Sequence, residues 1–154
     1  MEAGRIAQAG TPQALYERPH SEFVAGFMGE AMLFDAEALT DGSVRLGPLR
    51  LRTPHPVRAG AVKVAVRPEA WSLGDARGGD AVDAVDAVDA VNGGGAGLRA
   101  RVIKRAYLGN CQELTLQTEL GAIFVVTPDV LRAWAVGDEA VLRLAGHGLS
   151  VVAA

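Results

Sequence analysis

The stretch "LRARVIKRAYLGNCQELTLQTELGAIFVV", residues 98–126, decides the fold class. It holds three strand-like runs in close succession: Leu98–Leu108, Glu113–Thr118 and Ile123–Val126. Gly109, directly after Tyr107-Leu108, marks a backbone position that calls for positive φ or close approach. Along an alternating strand Arg99, Arg101 and Arg105 fall on one face, the pattern of a solvated surface.

Working outward, the texture stays that of short strands. Ala140–Leu144 and Leu149–Val152 follow, with Gly137-Asp138 read as the turn into the first of them. On the other side, Met32–Ala36, Val44–Leu46 and Leu49–Arg52 are divided by the turn formers Asp41-Gly42 and Gly47-Pro48. Val62–Arg67 alternates as a half-buried strand does until Pro68, which donates no ladder bond, ends it. Only Pro128–Ala135 looks helical in this region. Many short strands with little helix predict a mainly β fold, a small closed or partly closed barrel.

The first thirty residues read differently. Gly4–Gln8 is a candidate short strand. Thr11-Pro12 supplies a capping hydroxyl and a proline at the first helical position, predicting a helix over Pro12–Glu17 that stops before Pro19. Ser21 caps a second short helix that puts Phe23, Val24, Phe27 and Met28 on one face, with Gly29 as its stop. The residues that follow offer no obvious cover for these apolar sides, so Phe23, Phe27 and Met28 are expected to be exposed.

Composition bounds the rest. The chain has 154 residues, 49% hydrophobic but only 5% aromatic, so its core is built mainly of Val, Leu and Ala. The net charge is −3. Four of the acids, Asp80, Asp83, Asp86 and Asp89, lie in the repeat "DAVDAVDAVDAV"; the other fourteen face fifteen basic residues, so the acidity belongs to the repeat. Its period of three fits neither strand nor α-helix, and glycines flank it, which predicts a low-complexity insertion over 75–97. It lacks the alternate carboxylates and distal Glu of a calcium loop. Cys111 is the lone cysteine, which excludes an internal disulfide and points to a reducing compartment. No apolar run reaches the ~18 residues of a membrane span, so the chain is expected to be soluble and to meet a membrane through a partner.

Chemistry-bearing patterns are sparse. No segment reads G-x-x-x-x-G-K-[ST], and the glycine run at Gly93–Gly97 has no lysine after it. His20, His55 and His147 stand apart from one another without metal-ligand spacing. A Cys111–His147 nucleophilic pair has no supporting acid or local signature, so Cys111 is read as a small apolar residue of the barrel. Single-strand binding needs aromatics interleaved with cations, whereas Trp71, Tyr107, Phe124 and Trp134 are scattered and the only basic cluster is Arg99, Arg101, Lys104 and Arg105. No nucleic-acid partner is expected.

Taken in order, the segments resemble a known family. "GRIAQAGTPQALYERPHSEFVAGFMGEAMLF" (4–34) is similar to the end of the nucleotide-binding domain in the ATP-binding subunits of bacterial ABC importers for polyamines, iron and sugars. "VAVRPEAW" (64–71), "VIKRAYLGNCQELTLQT" (102–118) and "WAVGDEAVLRL" (134–144) resemble their C-terminal extension, the TOBE or transport-associated OB domain. The resemblance implies that residues 1–30 are the C-terminal remnant of a nucleotide-binding domain and 31–154 an OB-like regulatory domain. It makes Val66, Arg67, Pro68, Glu69, Tyr107, Leu108, Gly109, Gly137 and Asp138 family-motif residues and interface candidates. Arg67 and Glu69, flanking Pro68, would serve either as a surface turn pair or at an interface.

The Walker A, signature and Walker B motifs of such subunits lie upstream of the matched region and do not occur here. No catalytic, nucleotide-binding or metal residue is therefore assigned, and MgATP would belong to the parent subunit alone. The family further implies a homodimer, permease subunits met through the nucleotide-binding domain, and a cytoplasmic place at the inner face of the membrane. Some members also sense a regulatory protein or a small ligand, and related barrels bind oxyanions. An oxyanion sensor is thus the second function expected, and a single-stranded nucleic-acid-binding OB fold the third.

Overall fold

A computed structural model describes residues 3–52, 56–76, 97–145 and 147–153. The Asp-Ala-Val repeat and His55 lie outside these described residues. The fold class is the mainly β, OB-like one, with two short helices ahead of the strands. The strands divide between two compact units. One comprises the chain up to Arg67 and again from His147; the other begins at Pro68.

In the first unit, α1 (Pro12–Glu17) and α2 (Glu22–Phe27) start as their capping residues dictate. Thr11 Oγ1 accepts from the Ala14 N–H at 3.2 Å and Ser21 Oγ from that of Val24 at 3.3 Å. Five antiparallel strands follow in the order β10-β4-β1-β2-β3. They are β1 (Met32–Ala38), β2 (Ser43–Leu46), β3 (Leu49–Arg52), β4 (Gly60–Val66) and β10 (Leu149–Ala153). Val62, Val64 and Val66 alternate along β4 into a core with Phe34, Val44, Leu46 and Leu51.

The opposite face of β4 is covered as well. Lys63 and Ala65 share it, Ala65 is buried, and the Lys63 amine meets Glu22 of α2 at 3.0 Å. α2 thus lies on β4 and β10, burying Val24 and Ala25, while Phe27 is 73% exposed beside the stacked ring of Phe23. Cover for α2 was expected to be missing. Part of it comes from β10, more than 120 residues away in sequence, and Phe27 alone of the expected trio is exposed rather than half-buried. The strand expected at Gly4–Gln8 is reduced to one bridge residue, Arg5. The Gln8 amide does the pairing instead, donating to the Arg18 carbonyl at 2.9 Å and accepting from the His20 N–H at 2.8 Å.

The second unit opens with a single 3-10 turn, Pro68–Ala70. Its strands are β5 (Trp71–Asp75), β6 (Leu98–Tyr107), β7 (Gln112–Thr118), β8 (Gly121–Thr127) and β9 (Glu139–Leu144), in the order β5-β9-β6-β7-β8. The outer strands β5 and β8 approach one another, so this sheet curls toward closure. Leu98, Leu114, Leu116, Ile123, Val125 and Leu142 fill its interior.

Pro128–Ala135, expected as a helix, is an irregular loop. Asp129 Oδ1 accepts from the N–H groups of Leu131 and Arg132, as a helix cap would. The turn does not propagate, because Gln112 Nε2 takes the carbonyls of Asp129 and Arg132 at 2.6 and 2.8 Å. A side-chain donor from β7 replaces the helical N–H donors that would have served those carbonyls.

Candidate functional site

The motif residues fall into three places. Val66, Arg67, Pro68 and Glu69 lie where the chain leaves the first unit for the second. Val66 and Pro68 are buried, while Glu69 is exposed. Arg67 does not sit on a surface turn: it is only 4% exposed. Its guanidinium lies 3.9 Å over the Tyr16 ring, with Nη2 3.4 Å from the Tyr16 carbonyl oxygen. Its backbone N–H donates to the Gly148 carbonyl at 2.9 Å. A cation so placed gains from the face of the ring, which carries negative charge density.

Gly137 and Asp138 form the second place. The Gly137 N–H donates to the Val102 carbonyl at 2.8 Å, and the Val102 N–H donates to that of Asp138 at 2.9 Å. Asp138 Oδ2 accepts from the Ala135 N–H at 2.9 Å. This turn therefore seals β6 where its ladder with β9, which runs from Leu98 to Arg101, comes to an end.

Beyond Val102, β6 continues with its ladder to β7 alone among the described residues. Ile103 is an extra residue at a bulge, where the register shifts between Val102 and Lys104. The free run then carries Lys104, Arg105, Ala106 and Tyr107 to the third place, the hairpin of Leu108, Gly109 and Asn110, which closes by Leu108 N–H to Cys111 O at 3.0 Å. Gly109 has φ +90°, the left-handed backbone expected of it. Tyr107 is 57% and Leu108 54% exposed, and Ile103 is exposed as well. Among the described residues this strand edge has no ladder partner, and apolar side chains stand exposed beside it.

A polar concavity borders the Gly137-Asp138 turn, lined by Asp75, Arg101, Arg132, Trp134 and Glu139. Arg132 pairs with Asp75 and stacks 3.8 Å over the buried Trp134 ring, while Arg101 lies 3.5 Å from Glu139. Each arginine here already has a carboxylate. The expectations at the sequence level missed Ile103, Arg132 and the buried Gln112 that holds the 129–132 loop. Ile103 had one visible signal, since Val102-Ile103 breaks the alternation that a regular strand would keep.

Among the described residues no group of three or more His, Cys, Asp or Glu could hold a metal. The chain carries no G-x-x-x-x-G-K-[ST] segment. What the described residues present is a small antiparallel β module.

Comparison with known proteins places the module. The TOBE domain profile matches residues 64–152, and the chain belongs to that family. The Fe(3+) ions import ATP-binding protein FbpC of Agrobacterium fabrum is 33% identical over 99% of this chain. The FbpC of Rhizobium etli is 32% identical over the same share, and that of Photorhabdus laumondii 47% over 47% of the chain. The chain spans about 40% of the length of the first two relatives and falls in their C-terminal part. Among solved structures, the cytoplasmic molybdate-binding protein ModG shares the fold, with a TM-score of 0.57 at 18% identity over 78% of this chain and 94% of ModG.

Proposed function

We propose that this chain is the regulatory and dimerisation region of the ATP-binding subunit of an ABC-type solute importer. Residues 1–30 then close the nucleotide-binding domain and 31–154 form the TOBE region. The observation that carries this reading is coverage: the chain aligns along 99% of its length with ATP-binding import proteins, yet accounts for only 40% of theirs. Binding and hydrolysis of MgATP, and contact with the permease, belong to the part of the subunit outside this stretch. The subunit works at the cytoplasmic face of the membrane. Ferric iron is the cargo class that the relatives' names suggest for the parent importer.

Self-association runs through the free part of β6, where Ile103, Tyr107 and Leu108 are exposed beside an open strand edge. Sedimentation velocity over a concentration series tests it. A dimer is expected, shifted toward monomer by Tyr107→Ser with Leu108→Ser while the circular dichroism stays unchanged. A wild-type chain that stays monomeric at every concentration overturns the dimerisation role. ATP hydrolysis by the purified chain overturns the assignment as a whole.

A second reading, an oxyanion sensor, draws support from the fold shared with ModG and from Arg101 and Arg132 at one concavity. The carboxylates already paired with both arginines weigh against it. Titration calorimetry with molybdate, sulfate and phosphate separates the two, and absence of heat with all three removes the sensor.

A further inference from the structure

Arg67 is the least ordinary side chain of the first unit: a nearly buried cation whose Nη1 has no hydrogen-bond acceptor among the described residues. A buried charge with no carboxylate paired to it among the described residues is costly, so its position must be fixed by what surrounds it. Two features of the helical segment do this. The Tyr16 ring of α1 covers one face of the guanidinium. Gly29, just past α2, has φ +137° and no side chain, and a Cβ there would stand 3.0 Å from Nη1. The end of α1 and the exit of α2 are thereby closed around one guanidinium, anchored in turn at the end of β4.

We infer that Arg67 is a latch that fixes the N-terminal helical segment to the sheet of the first unit, with Tyr16 and Gly29 forming its keeper. Two lesser ties flank it: Ser150 Oγ of β10 donates to the Glu17 carbonyl at 3.0 Å, and Lys63 meets Glu22. The planar guanidinium is required because only it can lie flat on a ring while sending an N–H to the Tyr16 carbonyl; lysine offers a compact point charge. Resting on the proposed importer reading, the latch is the joint by which the end of the nucleotide-binding domain and the sheet move as one piece. The covalent path into the second unit starts at the next residue, Pro68.

Hydrogen exchange on the whole chain tests the latch without reference to ATP or transport. The reporters are the amides of Leu15, Arg18, Ala25 and Met28, which donate to Thr11, Ala14, Ser21 and Val24. Tyr16→Leu removes the ring and Tyr16→Phe keeps it, and neither alters the strand core. Loss of a desolvated cation–ring contact makes exchange roughly tenfold faster in Tyr16→Leu than in Tyr16→Phe, two variants that both lack the hydroxyl. Arg67→Lys should behave like Tyr16→Leu, with fluorescence of Trp71 and Trp134, both in the second unit, unchanged. Equal exchange at the four amides in Tyr16→Leu and Tyr16→Phe overturns the latch. A latch that passes this test in a chain that stays monomeric would leave the dimerisation reading alone in failure.

Discussion

Gly137 and Val102 are joined by a 2.8 Å hydrogen bond from the glycine N–H to the valine carbonyl, and the Val102 N–H donates a second to the Asp138 carbonyl. Gly137 and Asp138 thus form a seal on β6 at the residue where its ladder with β9 has ended. Gly137 has φ +95° and open space where a Cβ would stand. Gly137→Ala therefore suffers no clash and meets only the left-handed backbone cost, about 1–2 kcal/mol. Urea denaturation followed by tryptophan fluorescence should register that loss. An unchanged midpoint would mean that the turn relaxes freely and seals nothing.

Gln112 is the second structural pin of that unit. It is wholly buried, and its Nε2 serves both the Asp129 and Arg132 carbonyls. Gln112→Leu fills the same space but strands those carbonyls, for a destabilisation of about 1–3 kcal/mol. Because Arg132 stacks on Trp134, the same variant should change the near-ultraviolet dichroism of tryptophan. A native spectrum and native stability would show that the loop stands without its pin.

Much of this architecture was legible because it is written locally. The caps Thr11 and Ser21, the turn glycines and the alternation in β4, β6 and β7 each sit beside the element they define. What escaped was non-local. β5 went unread because Gly74 interrupts it, yet a Cβ there would come within 2.8 Å of Arg143 Nη1 on the neighbouring strand. The loop at 128–135 carries a helix-like pattern that a glutamine from β7 overrides. Arg67 reads as a surface charge beside a proline until the fold sets Tyr16 over it, fifty-one residues away. Of the candidate surface, Tyr107, Leu108 and Gly109 were visible as a motif. The open edge they share with Ile103 depends on where β9 stops, which no local pattern records.

Acid sensitivity has a defined origin in the β1–β2 turn. Asp41 accepts from the Ser43 hydroxyl at 2.6 Å and the Ser43 N–H at 3.0 Å, and it also pairs with Arg50. The bonds from Ser43, with the charge of Arg50 adding to them, hold its carboxyl below the usual carboxylate range. A depressed folded value means the contribution is complete above the unfolded value of about 3.9 and is lost as pH falls through the folded one. Asp41→Asn should flatten the stability profile in that acid window and leave the slope at neutral pH alone. Parallel wild-type and variant profiles below pH ~4 would exclude Asp41 as the source.

Alkaline sensitivity should arise farther along the same face of the sheet, where Lys63 of β4 meets Glu22 in the first turn of α2. The hydrogen bond and charge of Glu22, with Asp35 adding to them, raise the Lys63 ammonium above its ordinary range. A raised folded value gives the opposite sign. The contribution is whole below the unfolded value of about 10.4 and disappears as pH climbs through the folded one. Lys63→Met keeps the apolar stem against α2 and removes the charge, so its exchange at Ala25 and Met28 should be independent of ionic strength. The wild-type amides should exchange faster in salt, because half-exposed charges are screened over about 10 Å at 0.1 M. Identical salt responses in the two proteins would show that the helix is held by burial of Val24 and Ala25 and by Arg67, with no share from the ion pair.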